Sequence, residues 1–413
     1  VWNAPFCEHA FTAEVGIPGS KSMTNRALVL AAAAYGTSRV TGWLDARDTR
    51  LMIEGLRRLG SRITIGDELT VIGGAGSGPA TLDCGLAGTV MRFLPPVAAR
   101  TDGDVHFVGD AQASARPLTP MLQALRDLGA DITGDSLPFT VHGHGSLRGG
   151  AVDIDASASS QFVSGLLLSG ASMDRGLRLR HTGAALPSQP HIEMTVAMLA
   201  EAGVTVLGEG DEWEVEPGPL QPHEWHIEPD LSNAGPFLAA AMITGSTVTI
   251  PQWPARTTQA GDYWREFLGR LGARIEGGLT LTGPDNYPGF EVNLRAVGEL
   301  TPTIAALAAF ATGPSHLTGI GHLRGHETDR LAAIATELQR IGVQVDVDAD
   351  GLRIDPAGRH ASSEATLQTY ADHRMATMAA VLGLGIRGLR VADPQTTSKT
   401  MPDFVPRWED MVL

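Results

Sequence analysis

Lysine is almost missing from this chain. Of 31 basic residues only Lys21 and Lys399 are lysine, and the remaining 29 are arginine. A genomic bias toward arginine codons accounts for most of the surface, which leaves the two lysines as positions to explain. An ammonium and a guanidinium differ as point charges and as proton carriers. Cysteine is limited to Cys7 and Cys84. That excludes a disulfide framework and a cysteine-built zinc site, and it suits a reducing, cytoplasmic setting. No apolar run reaches the roughly 18 residues of a membrane span, and the first residues lack a basic-then-apolar export pattern. Positive charge is scarce too. A formal net charge of −15 disfavours nucleic acid and anionic membrane as partners, since both are bound by basic surfaces.

What remains is an ordinary globular composition, 43% hydrophobic and 19% charged over 413 residues. At roughly 150 residues per domain, that length predicts two to three domains. An internal repeat organises them. An amphipathic helical pattern ending in a glycine, followed by a short strand pattern, recurs at Gly60, Gly129, Gly203, Gly272 and Gly342, spaced 69 to 74 residues apart. A truncated sixth copy falls at P-R-W-E-D-M-V-L. Between these lie segments apolar on every side, starting at Ala27, Val90, Phe162, Pro236, Thr303 and Met375. A helix with no polar face is a buried helix. The repeat unit therefore reads as strand, buried helix, strand, amphipathic helix and two paired strands. It is used six times, three per domain, with the seam near Trp225–Leu231. The expected partition is 20–227 as an inserted domain and 1–19 with 228–413 as a discontinuous one.

Each buried helix opens at a polar turn: Pro18–Arg26, Cys84–Arg92, Asp155–Phe162, Pro229–Ala234, Gly298–Thr303 and Tyr370–Met375. Helix N-termini carry unpaired N–H groups and partial positive charge. If like helices point alike, these turns converge, and two domains would enclose an anion-binding cleft in an otherwise acidic protein. The turn at Pro18-Gly19-Ser20-Lys21-Ser22 lacks the Walker frame. His322–Arg330 places six ionisable side chains in nine residues, with Glu327 and Arg330 spaced to share a helix face. The His322, His326 and Glu327 spacing is not that of a zinc site. Asp372-His373 reads as a pair that positions Arg374, because no serine elbow accompanies it. Cys84 reads as a small buried residue.

Six motifs occur in order over the whole chain: P-G-S-K-S-x-x-N-R-A, G-x-A-G-T-x-M-R, S-S-Q-F, H-E-T-D-R-L, Y-x-D-H-R-M-A and K-T-M-P-D-F. Together they resemble the 5-enolpyruvylshikimate-3-phosphate synthase family of enolpyruvyl transferases, most nearly an actinobacterial member. The resemblance implies an α/β fold of six βαβαββ units in two domains, with helix N-termini facing the interdomain cleft. It implies transfer of the enolpyruvyl group of phosphoenolpyruvate to the 5-hydroxyl of shikimate 3-phosphate, with loss of phosphate through a tetrahedral intermediate. It further implies a monomer with no cofactor and no metal. Lys21, Gly88, Arg116, Gln161, Arg330, Arg374 and Lys399 match the phosphoenolpyruvate ligands. Lys21, Ser22, Arg26, Ser159, Ser160, Gln161, Ser188, Glu299 and His326 match the shikimate 3-phosphate side. By the same match Glu299 is the base on the 5-hydroxyl and Glu327 the acid toward the methylene, with Lys21 stabilising charge. An acid role for Glu327 among cations requires desolvation to favour its neutral form.

The chain departs from the family pattern on the shikimate side. Glu299 stands where many members have Asp, and His326 where many have Lys. Gln189 and His191 stand where some have Lys and Tyr, and His322 where some have Asn. His326 makes the charge there pH-sensitive, so affinity for shikimate 3-phosphate is expected to weaken as pH rises through its titration. Three rivals differ in kind. The sister transferase acting on UDP-N-acetylglucosamine carries a general-acid Cys five residues before an Arg-Pro, and here that place holds Ala111. A non-catalytic anion-binding homologue would be expected to lose Glu299, Glu327, Lys21 or Lys399, which are all present. A nucleic-acid-linked cyclase built of similar repeats is disfavoured by the acidic charge.

Overall fold

A computed structural model describes residues 1–74 and 76–413. The chain divides into two compact units, Gly19–Glu228 and Val1–Pro18 with Pro229–Leu413. Among the described residues twelve α-helices alternate between two kinds. In the inserted unit they are α1 (Lys21–Ala33), α2 (Arg47–Arg58), α3 (Gly88–Ala98), α4 (Thr119–Asp127), α5 (Gln161–Gly170) and α6 (Gln189–Glu201). In the other unit they are α7 (Leu231–Thr244), α8 (Tyr263–Arg270), α9 (Thr301–Ala308), α10 (Arg330–Arg340), α11 (His373–Gly385) and α12 (Phe404–Val412). The odd-numbered helices are the apolar ones. Every residue of α3 and of α9 is buried. In the inserted unit α1, α3 and α5 pack on one another, and in the other unit α7, α9 and α11 do. The even-numbered helices bury one stripe, as α10 does with Leu331, Ile334 and Leu338.

The repeated glycines end five of the even-numbered helices in one way. Gly60, Gly129, Gly203, Gly272 and Gly342 have φ between 80° and 105°, a region costly for residues with a Cβ. Around Gly60, Ser61 N donates to Leu56 O at 3.0 Å and Gly60 N to Arg57 O at 3.0 Å. This pair of bonds is the Schellman closure that satisfies the last carbonyls of a helix. The same pair recurs at the other four glycines.

Among the described residues there are six sheets. Five are four-stranded with one topology: an edge strand, a second strand parallel to it, then two antiparallel strands. Thr12–Glu14, Thr247–Thr249, Thr280–Thr282 and Arg274–Glu276 form one of them, in that spatial order. The first strand of a repeat need not come from the same stretch of chain. Glu224–His226 pairs parallel with Thr37–Thr41 to complete the first sheet of the inserted unit. Thr12–Glu14 does the same for Thr247–Thr249 in the other. The sixth sheet has three strands: Arg390–Val391 pairs antiparallel with Trp2–Asn3 and parallel with Thr366–Leu367. The chain crossings are stitched by backbone bonds, Ser20 N to Glu228 O in one unit and Asp230 N to Pro18 O in the other, each 2.8 Å.

Candidate active site

The candidate residues form two groups, one on each unit. In the inserted unit Ser20 caps α1, its Oγ accepting from Met23 N, and Lys21 is the first helical residue. Lys21 Nζ lies 3.2 Å from Oδ2 of the buried Asp48 on α2. That carboxylate fixes the direction of the ammonium, and no local sequence signal links the two positions. Gly88 opens α3 at a crowded point. A Cβ there would lie 2.9 Å from Arg116 Nη2 and 3.0 Å from both Arg92 Nη1 and Gln161 Oε1. Arg92 donates to Gln161 Oε1 at 2.8 Å, and Arg116 donates to Leu86 O at 3.0 Å. A side chain there would displace the three polar ends that meet over this helix N-terminus. Arg92 was not among the sequence-predicted ligands, although its place one turn after Gly88 is a usable signal.

Other residues of that unit are placed differently. Arg26 is 1% exposed. Its guanidinium donates to Thr195 Oγ1, Ser164 Oγ, Ser22 O and His191 O at 2.8 to 3.2 Å. These bonds tie α1 to α5 and α6, so the guanidinium has a positioning duty whatever else it touches. His191 is buried and takes part in this knot through its carbonyl, beside Gln189 at the start of α6. Ser188 sits in the left-handed region at φ 51° and makes no side-chain cap bond to α6. Such backbone strain at a non-glycine residue is typical of positions held for function. Ser160 precedes α5, and Ser159 Oγ accepts from Gln161 N at 3.3 Å. Ser22 lies in the first turn of α1. Cys84 is fully buried, and burial, helped by Asp83, pushes its thiol up to about 12. It is inert as a nucleophile at neutral pH.

The second group is built on α10, α11 and the turns before them. Glu327 Oε1 lies 2.5 Å from Lys399 Nζ, and Oε2 lies 2.7 Å from Arg330 Nη2. Glu327 and Arg330 do not share a helix face as their spacing predicted. The Asp329 side chain accepts from Ala332 N and starts the helix only at Arg330, so Glu327 precedes it. Arg330 is 2% exposed. Burial opposes its charge, but Asp372 and Glu327 outweigh that and hold its pKa above the ordinary arginine value. Asp372, wholly buried, accepts from Arg330 Nε at 2.7 Å and caps α11 by accepting from Arg374 N. Its carboxylate serves Arg330 more closely than His373, whose Nδ1 lies 3.7 Å away.

Glu299 sits just ahead of α9. It accepts from Ser232 Oγ at 2.7 Å, and Arg374 Nη2 lies 3.7 Å from its other oxygen. Ser232 is in the first turn of α7, behind the Asp230 cap. The sequence marked that turn as a helix start but did not connect it to Glu299. His326 Nδ1 is 3.2 Å from Arg330 Nη1. Arginine can only donate, so Nδ1 accepts and the ring is neutral in this arrangement. A cationic His326, as expected on the shikimate side, must give up that bond. His322 is also neutral at pH 7, because burial and the Arg295 charge lower its pKa to about 4. Among the described residues no group of three or more His, Cys, Asp or Glu is arranged to hold a metal. No helix among them is long and apolar enough to cross a membrane.

Comparison with known proteins identifies the family. Residues 8–408 match the family described as EPSP synthase (3-phosphoshikimate 1-carboxyvinyltransferase). The chain is 52% identical over 423 aligned positions to the 3-phosphoshikimate 1-carboxyvinyltransferase of Mycobacterium ulcerans (strain Agy99), covering 100% of this chain and 97% of that protein. It resembles the solved EPSP synthase from Acinetobacter baumannii with a TM-score of 0.80 at 27% identity, over 100% of this chain and 98% of that one. The enolpyruvyl transferase NikO from Streptomyces tendae shares the fold at a TM-score of 0.76 and 19% identity, over 98% and 96% of the two chains. The α/β fold is thus that of enolpyruvyl transferases, and the chain belongs to the EPSP synthase family.

Proposed function

We propose that this chain transfers the enolpyruvyl group of phosphoenolpyruvate to the 5-hydroxyl of shikimate 3-phosphate and releases inorganic phosphate. The observation that carries this reading is a pair of carboxylates, each set beside cations. Glu327 is bonded by Lys399 and Arg330, and Glu299 is held by Ser232 and flanked by Arg374. An addition–elimination needs one group to take a proton and another to give one.

In the proposed sequence Glu299 takes the proton from the 5-hydroxyl as its oxygen bonds to C2 of phosphoenolpyruvate. Glu327 gives a proton to C3, and Lys21 and Lys399 balance the negative charge that gathers on carboxylate and phosphate. A tetrahedral intermediate results. Return of the C3 proton to Glu327 and departure of phosphate restore the double bond, and the 5-hydroxyl proton first taken by Glu299 ends on the released phosphate. Arg116, Arg330 and Arg374 suit the carboxylate and phosphate of phosphoenolpyruvate, because the planar guanidinium pairs with both in bidentate fashion. Within the inserted unit, Gln161 and the Gly88 backbone lie beside Arg116. Ser22, Arg26, Ser159, Ser160, Ser188 and His326 are assigned to the shikimate phosphate side, with Arg26 acting at least by holding the first turn of α1. The assembly is proposed to be a monomer working in the cytoplasm.

The acid of the UDP-N-acetylglucosamine enzyme has no counterpart here. Ala111 begins the short 3-10 turn ahead of Arg116, and a methyl group donates no proton. The test is phosphate release. It should require both substrates together, and release with UDP-N-acetylglucosamine in place of shikimate 3-phosphate, or none with either acceptor, would overturn the proposal.

A further inference from the structure

Tyr370 and Ala371 both have left-handed backbone, φ 54° and 55°. Side chains with a Cβ avoid that region unless their surroundings impose it. What imposes it is on α10. Glu337, whose side chain is completely buried, accepts from Tyr370 Oη at 2.5 Å and from Gln368 N at 3.0 Å. Arg340 approaches the same carboxylate at 3.2 Å from the solvent side. Burial, then Glu337, push the Tyr370 hydroxyl up to about 12, so it remains a donor at neutral pH.

The next residue after the strained pair is Asp372, which grips Arg330 and caps α11 one residue ahead of His373 and two ahead of Arg374. Arg330 and Glu337 are seven residues apart on α10, so they lie on one face two turns apart. One helix therefore holds the 368–372 segment at two points, by Glu337 at Tyr370 and by Arg330 at Asp372. We propose that Glu337 and Tyr370 are positioning residues, whose bond imposes the turn that delivers Asp372 to Arg330 and sets Arg374 at the head of α11. This rests on the reading of Arg330 and Arg374 as ligands of phosphoenolpyruvate. Glu337 is fully buried, and its carboxylate accepts from this turn at both Tyr370 Oη and Gln368 N.

The test uses the full-length protein with Tyr370→Phe, Glu337→Gln and Arg340→Ala. Tyr370→Phe keeps the ring and removes only the hydroxyl. Its KM for phosphoenolpyruvate should rise about tenfold, as for loss of a hydrogen bond to a charged group, with the KM for shikimate 3-phosphate within about twofold of wild type. Its crystal structure should show the turn relaxed and Asp372 moved out of hydrogen-bond range of Arg330 Nε. Glu337→Gln should act in the same direction and more strongly, since its amide nitrogen faces a donor. Arg340→Ala should stay within about twofold of wild type, because the two inner bonds persist. A purely structural role would lower the melting temperature and leave both KM values alone. An unchanged turn and ion pair in Tyr370→Phe overturns the proposal, and so does an unchanged KM for phosphoenolpyruvate in that variant. If wild type releases no phosphate, the functional reading falls by itself, and the crystal structure of Tyr370→Phe still decides the clamp.

Discussion

Glu327 is bonded by an ammonium on one oxygen and a guanidinium on the other. Its side chain is 7% exposed, so water competes little for either bond. An amide in its place keeps the shape but cannot pass a proton. Glu327→Gln should therefore lower turnover by at least about 100-fold, the range typical of an acid–base residue, with the fold intact by circular dichroism. Turnover near wild type would remove Glu327 from that role. His322 supplies a second prediction at this scale. Its pKa is about 4 in the folded chain and about 6.5 in the unfolded one. Between these values the unfolded chain binds more protons, so this group makes stability fall as pH drops from about 6.5 toward 4. Urea unfolding at pH 7 and pH 5 should show a smaller acid loss for His322→Asn than for wild type, and equal losses would refute the assignment.

The helices are ended by glycines whose work is conformational. Gly272 has φ 96°, and a Cβ there would meet nothing closer than Pro284 at 3.8 Å. Space is not the constraint at that position, and the backbone is. Gly272→Ala should cost about 1–2 kcal/mol, the price of left-handed backbone for a residue with a Cβ, while both KM values stay at wild type. Chemical denaturation checks the first part and steady-state kinetics the second. The same logic explains why the repeat was readable. A glycine at a helix C-terminus and an all-apolar helix are local signals, set by neighbours within a turn or two. The starts of α1, α3, α5, α7, α9 and α11 follow from them. The Lys21–Asp48 and Ser232–Glu299 contacts do not, because their partners lie 27 and 67 residues apart.

Each unit buries its own apolar core. One core runs from Ala27 to Ile227, and the other uses Ala4 and Val15 with Leu231 to Met411. The segment Gly19–Glu228 contains every strand of its three sheets, including Glu224–His226. Its two ends meet in the Ser20–Glu228 backbone bond. Expressed alone, that segment should fold and melt in one cooperative transition, since it keeps a complete core and all its sheet partners. A broad, non-cooperative melt would show that it borrows stability from the rest of the chain.

Sequence alone determined the repeat, the alternation of buried and amphipathic helices, the polar turns and the residue types gathered there. Each of these is carried by periodicity or by a motif within a few consecutive residues. Tertiary structure decided the rest: that Arg26 spends its guanidinium inside the protein, that Glu327 stands outside α10, that His326 accepts from Arg330, and that Glu337 holds the Tyr370 turn. The physical reason is burial. A buried charge must be paired, and which distant residue pairs with it depends on how the helices pack, which no local pattern records.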